Sequence, residues 1–283
     1  MSRMPALFIG HGSPMNTLET NGFTEAWRAF GTTLPRPKAV LAISAHWYFG
    51  TTAVTAMARP RTIHDFYGFP EALFAFEYPA PGDPELAGEI VEAVKPEWVG
   101  LDQDQWGLDH GTWSVLAHLY PDADIPVVQL SLNATKPFEY HLALGQRLAS
   151  LPERGVMILA SGNVVHNLRS LRWGEPDLGF DWAQRFDDAV AEQLAEGPGD
   201  VLKLTEHPDF AAAVPTPDHY LPMLYLAGLA SDQGAVLEPL VRGHSMGSIS
   251  MACYGLDAEI ELRKNSTCAA RLPAGVPPEQ SNI

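Results

Sequence analysis

Residues 6–14 read ALFIGHGSP, an apolar run leading directly into Gly-His-Gly-Ser-Pro. The run is too short for a core helix and lacks the polar alternation of a half-exposed strand, so it reads as a strand buried on both faces. AVLAIS (39–44), PVVQLSL (126–132) and VMILASG (156–162) read the same way. Between them lie segments of helical period. In GDPELAGEIVEAV (82–94), Asp83 is placed to cap, Pro84 suits the first helical position, and Leu86, Ile90 and Val94 share one face. Further helices are expected over 111–120, 136–151, 181–196 and 221–230. Strands alternating with helices predict an α/β fold: a single domain with a central, mostly parallel or mixed β-sheet and helices on both faces. The domain is expected to span 1–262. Residues 263–283, RKNSTCAARLPAGVPPEQSNI, lose all periodicity and read as an irregular, partly disordered tail.

Composition narrows the function. Against 18 basic side chains stand 34 acidic ones, a formal net charge of -16, which repels phosphate backbones and anionic lipid. Neither nucleic acid nor a membrane is an expected partner. The N-terminal apolar run is too short for a signal peptide, and no stretch approaches the roughly 18 apolar residues of a spanning helix, so a cytoplasmic protein is expected. Cys253 and Cys268 are the two cysteines and form no Cys-x-x-Cys pair; a metal must therefore find imidazole or carboxylate. Walker, Gly-x-Gly-x-x-Gly and His-Glu-x-x-His motifs are all absent.

Three of the ten histidines follow expected core strands: His11, His46 and His166. Ligands of open α/β sheets bind beyond the carboxyl ends of the strands, so these imidazoles are expected to converge there. Gly10 and Gly12 are expected to let the chain turn and to leave room for a ligand beside His11. His110, at an expected helix start, is placed to line a cleft. His219, in VPTPDHYLP, reads equally as a loop-packing histidine or a further site member. His64 and Asp65 open an aromatic loop with Phe66, Tyr67 and Phe69, which suits a pocket for a flat ring or an ordinary packed surface loop. His118, His141 and His207 read as structural, and His244 as either.

Taken together, PALFIGHGSPMN, SAHWY, TIHDFYGFP, YPAPGDPELA, WGLDHGTW, YPDADIPVVQLSL, ASGNVVHNLR and PTPDHYLPMLY resemble the DOPA 4,5-dioxygenase family of class III extradiol ring-cleavage dioxygenases, in the same order over residues 4–254. The resemblance implies one divalent metal, Fe(II) for activity or Zn(II) as bound, between His11 and His46, with His219 as third ligand. It gives His166 two roles, as the acid–base group, which is favoured, and as a further metal ligand, and His110 a hydrogen bond to substrate or oxygen. His64, Asp65 and Tyr67 are the expected substrate contacts. The implied reaction inserts O2 into a catechol ring beside the diol and yields a ring-opened semialdehyde, in a monomer or small homo-oligomer. The ligands are all imidazole, where many extradiol enzymes use two histidines and a carboxylate, and such a set also suits zinc. A zinc-dependent hydrolase and a non-catalytic metal-binding protein on the same fold are the alternatives.

Overall fold

The computed structural model describes residues 3–260, so the expected tail at 263–283 lies outside the described residues. Ten strands are β1 (Ala6–Gly10), β2 (Ala39–Phe49), β3 (Ala53–Thr55), β4 (Gly100–Asp102), β5 (Val127–Asn133), β6 (Val156–Gly162), β7 (Glu238–Val241), β8 (His244–Ser245), β9 (Ile249–Ser250) and β10 (Cys253–Leu256). Eight of them form one sheet in the order β4-β3-β5-β2-β6-β1-β10-β7, and β8 pairs with β9 as a separate ribbon. The central four strands, β5-β2-β6-β1, are parallel. Both flanks turn antiparallel, at β3 against β5 and at β10 against β1. The sheet is thus mixed but parallel where the site lies.

Among the described residues there are eight α-helices, α1 (Gly22–Thr33), α2 (Glu71–Phe74), α3 (Pro84–Ala93), α4 (His110–Leu119), α5 (Phe138–Arg147), α6 (Asp181–Glu196), α7 (Phe210–Ala213) and α8 (Leu221–Asp232). Alternate residues of each central strand feed opposite cores. Phe8, Leu41, Ile43, Leu130 and Ile158 pack beneath α3, α5, α6 and α8, while Leu7, Ile9, Val40 and Leu159 meet α1 and α4. This explains the largely apolar runs, since neither face meets water and each buried large side chain contributes roughly 1.5–3 kcal/mol. Asp83 caps α3 as expected, accepting from Leu86 N at 2.9 Å, with Pro84 leading the helix. Among the described residues no helix is long and apolar enough to cross a membrane.

Two expectations are corrected. Strand β2 does not end before His46 but continues to Phe49, with its register against β5 broken between Ile43 and Tyr48. That irregularity takes Ala45–Trp47 out of the pairing with both neighbours, while Ser44 still pairs with Ser161 of β6. The missing side chain of Gly10 leaves room for backbone and not for a ligand: a Cβ there would sit 2.8 Å from the Ala252 carbonyl oxygen. Gly12 does turn the chain, at φ 60.

Candidate metal centre

Each imidazole arrives at the carboxyl edge of the sheet by its own route. The His11 backbone bridges β1 and β6, its N–H donating to Gly162 O at 3.2 Å. Its carbonyl accepts from Asn16 Nδ2 at 2.9 Å. His46 rides the irregular segment of β2. His110 is the first residue of α4, which Asp109 caps by accepting from Thr112 N. His219 precedes α8, and its carbonyl accepts from Asn163 N at 2.9 Å, just past β6. Gly162 has no side chain to obstruct that approach. His166 is held by its own N–H, which donates to Ala213 O at 2.8 Å.

Ring nitrogens of His11, His46 and His110 lie within 4.8 Å of one another, as do donor atoms of His166, Asp218 and His219. The two groups adjoin. Ring centroids of His46 and His219 are 5.0 Å apart and those of His11 and His219 5.4 Å, while His166 stacks on His219 at 3.4 Å and 5°. His11, His110, His166 and His219 are all buried.

Hydrogen bonds around the cluster set the tautomers. The Ser161 hydroxyl donates to Gly111 O at 2.5 Å, so it can only accept from His11 Nδ1, 2.9 Å away. The remaining nitrogen, His11 Nε2, then carries a lone pair. It faces His46 Nε2 at 3.0 Å. His46 Nδ1 in turn lies 3.1 Å from Asp65 Oδ2, which also sits 2.9 Å from His110 Nδ1. His219 Nδ1 is hydrogen-bonded to Asp218. The Nε2 atoms of His110 and His219 are buried without a hydrogen-bond partner. Imidazole nitrogens placed this close can share a cation, and carboxylates behind imidazoles are the usual support of metal ligands. The donor set fits a divalent metal such as Fe(II) or Zn(II).

Electrostatics agree with that fit. Burial, reinforced by neighbouring imidazoles, lowers the pKa of His11 well below its ordinary value. Burial likewise lowers His110 and His219, outweighing Asp65 and Asp218 respectively. For His46 burial is opposed and overcome by Asp65, so its pKa is raised. Burial works against the Asp65 carboxylate, yet His110 and His46 keep its pKa well below the carboxylate range. His11, His110 and His219 are therefore held toward the neutral form, while ionised Asp65 holds His46 toward the protonated one.

The 64–67 loop sits otherwise than an open pocket wall would. His64 Nε2 bonds Phe76 O at 2.9 Å, and its ring packs on Phe66 and Trp113. Asp65 faces His46 and His110, and Tyr67 is 56% exposed. His118, His141 and His207 are engaged with Asn16 O, the Tyr225 hydroxyl and Asp209 N. Sequence reasoning passes over Ser161 and Asp218, whose roles depend on what folding sets beside them; Asp218 beside His219 was the one legible hint. Gly243-His244-Ser245-Met246-Gly247 has the Gly-x-Ser-x-Gly spacing of a nucleophile elbow. That motif requires a strand-turn-helix, whereas here His244–Ser245 form strand β8 and the chain turns back into β9, with Ser245 buried.

A family described as the catalytic LigB subunit of aromatic ring-opening dioxygenase matches residues 4–254. A protein named 4,5-DOPA dioxygenase extradiol, from Escherichia coli (strain K12), is 49% identical, covering 88% of this chain and 93% of its own. One of the same name from Beta vulgaris is 37% identical, covering 80% and 86%. The crystal structure of an uncharacterized Escherichia coli K12 protein aligns with a TM-score of 0.79 at 44% identity, over 90% of this chain and 100% of that one. The chain belongs to the LigB family of aromatic ring-opening dioxygenases.

Proposed function

We propose that the protein is a metal-dependent extradiol dioxygenase that cleaves a catechol ring beside the diol, a DOPA-like 4,5-cleavage, giving a ring-opened semialdehyde. The observation that supports this reading is the cluster of buried imidazoles, in which His11 Nε2 faces His46 Nε2 at 3.0 Å and the Nε2 atoms of His110 and His219 have no hydrogen-bond partner. His11, His46 and His219 hold the metal, and His166 stands at its edge. Bound there, Fe(II) supplies a Lewis acid for the diol and the redox capacity that O2 chemistry needs.

The chain's residues govern position and protons. Ser161, Asp65 and Asp218 fix the ring tautomers, so the site needs no reorganisation on binding. His166 takes a proton from the diol and returns it as the ring opens, a task suited to imidazole near neutral pH. His110, with Nε2 unpartnered, donates to or accepts from the substrate oxygens. Phe66 packs edge-on against the His110 ring at 5.6 Å and keeps that side apolar. The catalytic unit spans 1–262.

Anaerobic titration with Fe(II), followed by O2 uptake across a panel of catechols, tests the reading. The expected result is consumption of O2 with a yellow product; silence across the panel overturns it. The all-imidazole donor set keeps a zinc hydrolase as second reading, which ester or amide turnover by the Zn(II) form would support.

A further inference from the structure

Gly111, the second residue of α4, meets both halves of the imidazole pair formed by His11 and His46. Its carbonyl oxygen accepts from the Ser161 hydroxyl at 2.5 Å, and that bond leaves Ser161 to accept from His11 Nδ1. Its bare α-carbon faces the other ring. A Cβ added there would lie 2.9 Å from His46 Cδ2 and 2.4 Å from Ser44 Oγ. Carbon atoms in contact lie about 3.5–4.0 Å apart, so a methyl group and the His46 ring cannot both keep these positions.

The Ser44 hydroxyl is held on two sides. It accepts from His46 N at 3.2 Å and is hydrogen-bonded to the Asp109 carboxyl, in a fully buried position. Asp109 is itself fixed, accepting from Thr112 N as the cap of α4 and from Gln129 Nε2 of β5. Turning Ser44 to admit a methyl breaks the bond that holds the His46 backbone. The group that gives way at this contact is therefore the His46 ring, whose Nε2 faces His11 Nε2 at 3.0 Å.

Helix formation asks for a different residue. Gly111 lies inside α4 without a positive φ, so alanine fits its backbone and is the better helix former. Gly88 in α3 carries no such duty: nothing lies within 4 Å of a Cβ placed there. Resting on the metal-dependent reading, we propose that Gly111 is a positioning residue for the metal. Its carbonyl sets the tautomer of His11 through Ser161, and its missing side chain admits the His46 ring to the ligand position.

Two measurements on the full chain test this without turnover: Zn(II) affinity, read by competition with a chromophoric chelator, and the visible bands of the Co(II)-substituted form. Gly111→Ala should weaken Zn(II) binding roughly 10- to 100-fold, the scale of disturbing a group that orients a ligand, and should shift the Co(II) bands. Gly88→Ala should leave both unchanged. Ser44→Ala clears the nearer obstacle and spares folding, so in that background Gly111→Ala should still cost affinity, but about five-fold less, as expected of residues in contact. Native affinity with native Co(II) bands in Gly111→Ala overturns the role of Gly111, and an equal loss in Gly88→Ala does the same. An undiminished loss in the Ser44→Ala background, or none at all, also overturns it. A native chain that binds neither Zn(II) nor Co(II) overturns the metal-dependent reading itself.

Discussion

The Nε2 atoms of His11 and His46 face each other across 3.0 Å, each ring having committed its Nδ1 to a partner behind it, Ser161 for one and Asp65 for the other. Such a pair is arranged for a cation. His11→Ala and His46→Ala should each lose stoichiometric metal, while His118→Ala, whose ring serves Asn16 O at 2.7 Å, should keep it. Elemental analysis of the purified variants decides; full metal in His11→Ala removes that ligand.

Ser161 acts on the metal through His11. Its hydroxyl accepts from Nδ1 only because its own proton is spent on Gly111 O. Ser161→Ala should weaken metal affinity roughly 10- to 100-fold, the usual effect of losing a residue behind a ligand, with little change in folding. Competition with a chromophoric chelator reads this directly. Unchanged affinity would show that the tautomer of His11 is set elsewhere.

For His166 a ligand and a proton carrier behave differently. As proton carrier, His166→Gln should retain metal and bind catechol yet slow the single-turnover rate roughly 10²- to 10⁴-fold. As an obligatory ligand it should lose metal, and excess Fe(II) should restore rate. Occupancy and rate on the one variant separate the two.

How much was legible depended on whether a signal was local. The four parallel strands were readable because burial on both faces leaves the runs largely apolar, with few polar residues such as Ser44, Gln129, Ser131 and Ser161, and His11 follows from where β1 stops. Helix α1 was not anticipated, although its capping box was written in the chain as Asn21 with Thr24. The short strands β3, β4 and β7 carry too few residues for a period to show. Ser161 looked like any strand residue, since its partners His11 and Gly111 lie 150 and 50 residues away. Gly10 misled for a related reason: its neighbour across the sheet, Ala252, is invisible in local sequence.

Away from the site, His141 links folding to pH. Burial lowers its pKa from 6.5 to about 4, so between those values the unfolded chain binds a proton that the folded one refuses. Stability from this residue is complete above the unfolded value and declines as pH falls, by up to about 3 kcal/mol near pH 4. His11, His110, His118 and His219 share this sign, so the slope of unfolding free energy with pH should be compared between the native chain and His141→Gln. The variant should show the shallower slope; parallel slopes would place His141 in water in the folded state.

Mass analysis of the product from Fe(II)-loaded protein, one catechol and O2 tests the account most directly. The predicted product has the mass of the catechol plus both atoms of one O2, forms with equimolar O2 consumption, and is absent with His46→Ala. Recovery of intact catechol, gain of a single oxygen atom, or equal product from His46→Ala would contradict it.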